Sequence, residues 1–320
     1  MRLIDYTLLI DALKDISPSL TFNEPMHQHN TFRIGGVAAI TVTPSTLEEL
    51  STILTLHKEI APALPFCVIG KGSNAIFPDE GYDGLVILTT ELQNVSYAKP
   101  EPDGYVTVSA DCGVSLTLLA RQCVADNRSL SGLAFAFGIP GTVGGAVVMN
   151  AGAYGGEMSD VVYAVDYFDP QSCEVKRVFR HQLNFSYRHS LFSDHPEYVV
   201  MTAYLRLKPD DREVIISEMS KNMTSRRLKQ PLELPNAGSI FKRPEGTFAG
   251  KLIEESGLKG YTVGGAQVSE KHAGFIVNTG GATYKDVCTL ISHIRDIVYQ
   301  DHGIALECEI KLISSEPSNQ

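Results

Sequence analysis

No apolar run in this sequence approaches the roughly 20 residues that a membrane-spanning helix needs. The N-terminal segment MRLIDYTLLIDALKDI carries charges through its apolar stretch and lacks the pattern of a signal peptide. Basic charge is scarce: 27 Lys and Arg stand against 37 Asp and Glu, a formal net charge of −10. That balance argues against nucleic acid and anionic membranes as partners, because both select basic surfaces. The six cysteines, Cys67, Cys112, Cys123, Cys173, Cys288 and Cys308, include no C-x-x-C pair and fall mostly in apolar or helical contexts. Reduced core thiols are therefore expected rather than disulfides or zinc, no metal is expected, and the expected compartment is the cytoplasm. The sequence has no internal repeat and no low-complexity linker, and its 320 residues exceed one typical core, which predicts two or three domains.

Glycine, by contrast, is locally abundant. Seven glycines fall within the twenty residues GIPGTVGGAVVMNAGAYGGE, from Gly138 to Glu157. So many are costly in the interior of a helix or strand, and the stretch is expected to serve unusual backbone geometry instead. Glycine lets consecutive N–H groups face one concavity and lets main chain approach a ligand closely, as in phosphate-binding loops. No Lys or Arg occurs between Arg128 and Lys176, so a diphosphate bound here would be held by amides. Glycine content alone fits a run of tight turns in an all-β region equally well.

A second cluster favours the ligand. Phe66-Cys67-Val68-Ile69 reads as a short buried strand running into Gly70-Lys71-Gly72-Ser73-Asn74-Ala75. The spacing matches the G-x-G-x-x-A of a Rossmann dinucleotide site, and Glu91 lies near the expected acidic position. A Rossmann site, however, opens a helix at the third small residue. Here Pro78, Gly81 and Gly84 follow within ten residues, and the next periodic segment is a strand over 85–88. A phosphate loop that closes onto a strand is predicted.

Periodicity separates three blocks, 1–82, 83–208 and 209–320. In the first, a strand over 39–43 precedes a capping box, Ser45-Thr46-Leu47-Glu48, that opens a helix with Leu47, Leu50 and Leu54 on one face. The middle block holds strands over 85–88 and 105–110, a helix over 115–125, the glycine-rich stretch, and strands over 161–168 and 198–207. The last opens with a helix over 212–227, has another over 248–255, and closes with a helix over 284–299 and an alternating strand over 305–313.

The motifs Asn30-Thr31-Phe32-Arg33-Ile34-Gly35-Gly36, Gly70-Lys71-Gly72-Ser73-Asn74, Gly138 to Gly145 and Asn150 to Gly155 are followed by Tyr187-Arg188-His189-Ser190, Asn236 to Lys242 and Leu306 to Lys311. In this order the set resembles the UDP-N-acetylenolpyruvoylglucosamine reductase family, FAD enzymes that complete UDP-N-acetylmuramate synthesis for peptidoglycan. The resemblance implies an α+β chain with a non-Rossmann, PCMH-type FAD-binding fold of two subdomains, 1–82 and 83–208, and a C-terminal substrate-binding domain, 209–320. It implies NADPH as hydride donor, a nucleotide-sugar substrate, and FAD held between the two glycine loops. The implied FAD contacts are Gly70, Lys71, Gly72, Ser73, Asn74, Ser131, Gly132, Ile139, Pro140, Gly141, Thr142, Gly144 and Gly145. Flavin oxidases of this fold often attach FAD through a Gly-Gly-His histidine. That tripeptide is missing here, so non-covalent FAD is expected.

The chemistry explains the implied catalytic residues. Hydride delivered to the terminal carbon of an enolpyruvyl ether pushes charge onto the carboxylate, and the resulting enediolate must be stabilised and protonated. The resemblance gives Arg188 the planar carboxylate, which a planar guanidinium suits, although an arginine in isolation reads as a surface ion pair. It makes Ser239 the proton donor, against the commoner reading of a turn or cap serine. Pattern alone leaves both Glu307 and Glu309 on a solvated strand face, but the family's glutamate precedes an apolar-basic pair, which selects Glu309 before Ile310-Lys311. An ionised carboxylate beside a growing enediolate opposes the reaction, so Glu309 is either protonated by burial or neutralised within a network including Arg188.

Two departures qualify the resemblance. Lys71 stands where the family often has glycine, so either its backbone accepts the loop geometry or its ammonium meets a phosphate. The helix after Leu207 leads directly into Arg226-Arg227-Leu228-Lys229-Gln230-Pro231, which resembles the shorter branch without a tyrosine-loop insertion. Arg226 and Lys229 are candidates for the UDP diphosphate or for a solvated helix end, and Tyr154 for stacking on the substrate or for the core. Outside this family, a flavin oxidase of a sugar or hydroxy acid, or a non-catalytic flavin- or UDP-sugar-binding protein, would use the same motifs.

Overall fold

The structure, a computed structural model, describes residues 6–125 and 128–314; the first five residues of the N-terminal segment read above lie outside them. The chain forms two units that interleave in sequence. Met1–Thr21, Thr41–Gly70 and Leu85–Ser225 make the first, and Phe22–Ile40, Lys71–Gly84 and Arg226–Gln320 the second. The contiguous blocks ending at residues 82 and 208 cut across this division.

The first unit is built on a six-stranded antiparallel sheet. Its order is Glu174–Phe179, Val162–Asp169, Val199–Pro209, Val106–Asp111 and Val95–Tyr97, with Leu130–Ser131 paired to the end of Val199–Pro209. The strands expected over 105–110, 161–168 and 198–207 are among these, each beginning one residue later and ending one or two residues later. Val199–Pro209 is rich in β-branched and aliphatic residues and buried over most of its length, as suits the middle of a covered sheet. Phe66–Ile69 forms the predicted strand and pairs in parallel with residues 85–88, Phe66 opposite Leu85 and Ile69 opposite Leu88. Helix Leu47–Ile60 buries Leu50, Ile53, Leu54 and His57. Its cap differs from the expected box by one position: Thr46 is the N-cap and accepts from the Glu49 N–H at 3.1 Å, while Glu49 Oε2 accepts from the Ser45 N–H at 2.8 Å. The helix expected over 115–125 is Leu116–Gln122, with Ser115 at its N-cap.

The glycine-rich stretch departs from expectation, because part of it is a helix, Val143–Val148, with Gly144 and Gly145 in its first turn. The entropic cost of glycine is accepted for close approach. A Cβ on Gly144 would lie 2.8 Å from the Cβ of Cys112, and the amides of Val143 and Gly144 donate to the carbonyls of Val114 and Cys112 at 2.9 Å each. Burial pushes the Cys112 thiol up to about 12, so this packing partner stays neutral.

The second unit carries a four-stranded antiparallel sheet, ordered Asn236–Ser239, Phe275–Asn278, Ala266–Val268, Thr262–Val263. Helices Ala249–Glu255 and Tyr284–His302 supply apolar faces to its core, which also takes in Phe32, Ile34 and Ile76. The long helix buries Val287, Leu290, Ile291, Ile294 and Val298 on one stripe, opens with a reciprocal Thr283–Asp286 capping box and stops at Gly303, whose φ is +68°. The alternating strand expected over 305–313 is regular only at Lys311–Leu312, parallel to Ala75–Ile76. Upstream it is irregular, with a single bridge between Phe241 and Cys308, and its backbone bonds pass from residues 240–242 to residues 74–76 along its length.

Gly144 and Gly145 are adjacent but differ in their surroundings, since a Cβ on Gly145 would meet nothing closer than Thr142 Oγ1 at 3.7 Å. In urea unfolding of the apoprotein, Gly144→Ala is expected to cost about 1–3 kcal/mol through overpacking. Gly145→Ala should be neutral or stabilise by up to about 1 kcal/mol. Equal effects would show that helix propensity, not the approach to Cys112, governs this turn.

Candidate active site

In the first unit the two glycine loops touch. A Cβ on Gly70 would overlap the Thr142 side chain, so only glycine lets the end of strand Phe66–Ile69 lie against the residue that opens helix Val143–Val148. The Ile139–Thr142 segment is fastened to the start of helix Leu116–Gln122. Thr117 Oγ1 donates to the Ile139 carbonyl at 2.9 Å and accepts from the Gly138 N–H at 3.1 Å, and the Leu116 N–H donates to the Gly141 carbonyl at 3.1 Å. Beside this contact Gly145 is exposed. Side-chain-free surface is thus available where the loops meet, although the amides of Val143 and Gly144 are already committed to protein carbonyls.

Arg188 lies in a two-residue turn closed by Ser186 and His189, whose N–H and C=O groups exchange bonds of 3.2 Å. Its φ is +54°, its Nη2 donates to the Gly152 carbonyl at 3.1 Å, and its guanidinium carbon lies 5.1 Å from the Tyr187 ring centroid. Gly152 begins a small hairpin, Gly152–Ala153 with Gly156–Glu157, whose turn residues Tyr154 and Gly155 both have positive φ, +54° and +88°. Positive φ at both central positions is the two-residue hairpin geometry that matches strand twist. Arg188 and Tyr154, both singled out from sequence, are therefore linked through one carbonyl. Tyr154 is 41% exposed, so it is not a core residue.

Asn150 underlies this arrangement, and it was quoted in a motif above without a role. It is completely buried at φ +43°, donates from Nδ2 to the Ser186 carbonyl and accepts at Oδ1 from the Ser159 N–H, both at 2.9 Å. Ser190 and Ser193 hydroxyls donate to the Val148 carbonyl at 2.8 and 3.1 Å. The turn that presents Arg188 is thus bolted to the end of the glycine-rich helix.

In the second unit Ser239 ends strand Asn236–Ser239. Pairing with Phe275–Asn278 runs from Asn236 opposite Val277 to Ser239 opposite Phe275, so one extra residue bulges out, with Gly238 at φ +78°. Bulges re-aim the side chains that follow them, and Ser239 caps no helix. Its neighbour Ile240 accepts at its carbonyl from the Glu309 N–H at 2.7 Å, which brings Ser239 and Glu309 onto adjoining backbone. The two glutamates part company here: Glu309 is half-buried, whereas the Glu307 side chain is 71% exposed and paired with Lys242. Two other motifs converge on the same place. Asn74 Nδ2 donates to the Glu309 carbonyl at 3.0 Å, Thr31 Oγ1 to the Asn236 carbonyl at 2.7 Å, and the Thr31 N–H to the Gly72 carbonyl at 3.2 Å.

The remaining expected contacts divide. Gly72 takes the left-handed φ of +56°, and the space beside it is filled by His29 and Asn30 rather than left open; Lys71 needs no positive φ and is exposed. Ser131 and Gly132 line a cavity of about 380 Å³ with Tyr105, Tyr154, Arg206 and Lys208, a lining that includes none of residues 70–74 or 139–145. Arg226 and Lys229 do not form one patch, because Arg226 is 7% exposed and donates to Gln230 Oε1 at 3.0 Å, while Lys229 is exposed. Among the described residues no helix is long and apolar enough to cross a membrane.

Residues 230–313 match the C-terminal domain of UDP-N-acetylenolpyruvoylglucosamine reductase (MurB), and residues 38–177 match an FAD-binding domain. A UDP-N-acetylenolpyruvoylglucosamine reductase from Alkaliphilus oremlandii is 45% identical over 308 residues, 95% of this chain and 97% of that one. Its counterpart from Levilactobacillus brevis is 42% identical over 320 residues, the whole of both chains. This chain belongs to the UDP-N-acetylenolpyruvoylglucosamine reductase family. The crystal structure of MurB from Thermus caldophilus agrees, with a TM-score of 0.74 at 35% identity over 92% of this chain and 97% of that one. Membership in the MurB family makes the chain an FAD oxidoreductase of cell-wall precursor synthesis with the expected non-Rossmann FAD-binding fold. It sets aside the non-catalytic alternative.

Removing the Asn150 amide orphans the buried Ser159 N–H and takes from the Ser186 carbonyl one of its two donors, leaving it the His189 N–H. Asn150→Ala is expected to lower stability by about 1–3 kcal/mol, the cost of one orphaned buried donor, read by urea unfolding. A change under about 0.5 kcal/mol, the size of an ordinary surface substitution, would mean that the Arg188 turn stands without it.

Proposed function

We propose that this protein reduces UDP-N-acetylglucosamine enolpyruvate to UDP-N-acetylmuramate, with NADPH as hydride donor and non-covalent FAD as carrier, in the cytoplasm. The observation that carries this reading beyond family membership is the 2.7 Å bond from the Glu309 N–H to the Ile240 carbonyl, beside Ser239. It draws a hydroxyl and a half-buried carboxyl from distant motifs onto neighbouring backbone. The division into FAD-binding segments 1–82 and 83–208 and a substrate segment 209–320 is part of the proposal.

The residues present fit the cofactor. Gly70, Gly141, Thr142 and Gly145 would hold the pyrophosphate of FAD, because the short Thr142 side chain lies against Gly70 where the loops meet and Gly145 leaves its surface clear. Bound FAD would supply hydride to the enolpyruvyl terminal carbon. The guanidinium of Arg188 would pair with the substrate carboxylate and take up the charge that grows there, already oriented by its bond to Gly152. The Ser239 hydroxyl would protonate the carbon next to that carboxylate. A serine is a weak acid, but protonating a carbanion-like centre is strongly downhill, so placement by the bulge matters more than acidity. Glu309 would keep that proton supply in order, and Tyr154 and Lys229 would contact the nucleotide portion.

The protein should purify yellow, and acid precipitation should release the colour; a colourless protein that gains no flavin on incubation with FAD would end this reading. In stopped flow, Ser239→Ala should leave bleaching of flavin by NADPH near normal while reoxidation by the enolpyruvyl substrate falls roughly 10²–10⁴-fold. If both half-reactions slow together, Ser239 holds the shape of the site and donates no proton. Glu309→Gln should slow reoxidation severely, whereas Glu307→Gln, at an exposed position, should be near neutral. A larger effect at Glu307 would reverse the assignment.

A further inference from the structure

Asn74 was expected to contact the cofactor, yet its side chain is committed within its own unit. Its Nδ2 donates to the Glu309 carbonyl at 3.0 Å, and its backbone carbonyl accepts from the Lys311 N–H at 2.9 Å. A carbonyl oxygen can only accept, so this partner fixes which end of the amide faces Glu309. The parallel ladder of Ala75–Ile76 with Lys311–Leu312 begins at the next residue, and the Asn74 side chain extends it by one rung, to the point where regular pairing ends.

Glu309 lies outside any regular strand, one residue past the bridge between Phe241 and Cys308. Its peptide groups are tethered on two sides, the N–H by Ile240 and the carbonyl by Asn74. The peptide after Glu309 is also held by the Ile310 N–H on the Ile240 carbonyl at 3.4 Å, so the 3.0 Å bond from Asn74 is its shorter hold, and losing it loosens the backbone from which the Glu309 side chain projects. The loop that carries Asn74 is fixed in turn: Gly72 has no room for a side chain beside His29 and Asn30, and its carbonyl accepts from Thr31.

We propose that Asn74 is a positioning residue for Glu309, tying the glycine loop at Gly72 and Ser73 to the direction of the carboxyl group. The inference rests on the role given to Glu309 above.

The test uses Asn74→Ala and the isosteric Asn74→Asp, which removes the donor, in the FAD-loaded enzyme. FAD affinity, read by titrating apoprotein and following flavin fluorescence, should be unchanged, as should bleaching by NADPH. Reoxidation by the enolpyruvyl substrate should slow roughly 10–100-fold, the scale of a displacement of about 1 Å at a reacting group, and its pH profile should shift. In a Glu309→Gln background, Asn74→Ala should cost little more, because the two act as one unit. A fall in FAD affinity alongside the rates would make Asn74 a cofactor ligand and overturn the inference, as would a full additive loss on Glu309→Gln. If Asn74→Ala fails to fold, as judged by thermal melting, Asn74→Asp carries the same test. A normal reoxidation rate in Glu309→Gln would remove the role of Glu309 and this inference with it. A slow Glu309→Gln beside a full-speed Asn74 variant would overturn this inference alone.

Discussion

Buried N–H and C=O groups must find partners even where the chain is neither helix nor strand, and here asparagine side chains supply many of them. Asn30 donates to the Met26 and Ile34 carbonyls at 2.7 and 2.8 Å and accepts from the Ile34 N–H. Asn236 donates to the Pro231 and Leu234 carbonyls and accepts from the Gly238 N–H, which shapes the bulge before Ser239. Asn278 reaches the Phe32 carbonyl at 3.1 Å, and Asn150 joins Ser186 to Ser159. An orphaned buried polar group costs about 1–3 kcal/mol, so each amide selects one loop conformation strongly. Irregular segments carry the candidate catalytic groups, and side-chain amides make those segments definite.

Glycine serves the same loops in two ways. Gly70, Gly72, Gly113 and Gly144 sit where a Cβ would strike neighbouring protein, so their value is close packing of backbone on backbone. Gly145 and Gly238 meet little or nothing, and their value lies in cleared surface or, at Gly238, in a positive φ. The distinction alters the expected meaning of substitutions. A side chain at Gly72 would displace His29 and Asn30 before it reached any ligand.

Strands, helix spans and the non-Rossmann closure of the Gly70 loop were legible because each rests on local periodicity, and the loop indeed continues into the short strand Ala75–Ile76. The helix Val143–Val148 was not, because Gly144 in its first turn is explained by Cys112, thirty-odd residues away in sequence and invisible to any local rule. The alternation over 305–310 correctly separated buried Leu306 and Ile310 from exposed Glu307, but it suggested one continuous ladder where the backbone passes from residues 240–242 to residues 74–76. Motif order named Arg188, Ser239 and Glu309. The asparagines at positions 30, 74, 150 and 236 lay inside the quoted motifs all along, and the signal that would have found three of them is an asparagine two residues from a glycine, at positions 74, 150 and 236.

Backbone strain in the first unit gathers around the candidate arginine. Asn150, Tyr154, Asn184 and Arg188 all have positive φ. Asparagine tolerates that region, but for tyrosine and arginine it costs roughly 1–2 kcal/mol each. Such conformations persist only where surroundings over-determine them. For Arg188 the determinants are the paired Ser186 and His189 backbone, the Asn150 bond to Ser186, and the bond to Gly152 at the foot of the Tyr154 hairpin. A guanidinium needed only for solubility would gain nothing from this expense, since a turn with ordinary dihedrals would expose it equally well. One that must meet charge developing on a carboxylate gains directly, because a donor already in place need not reorganise when the charge appears.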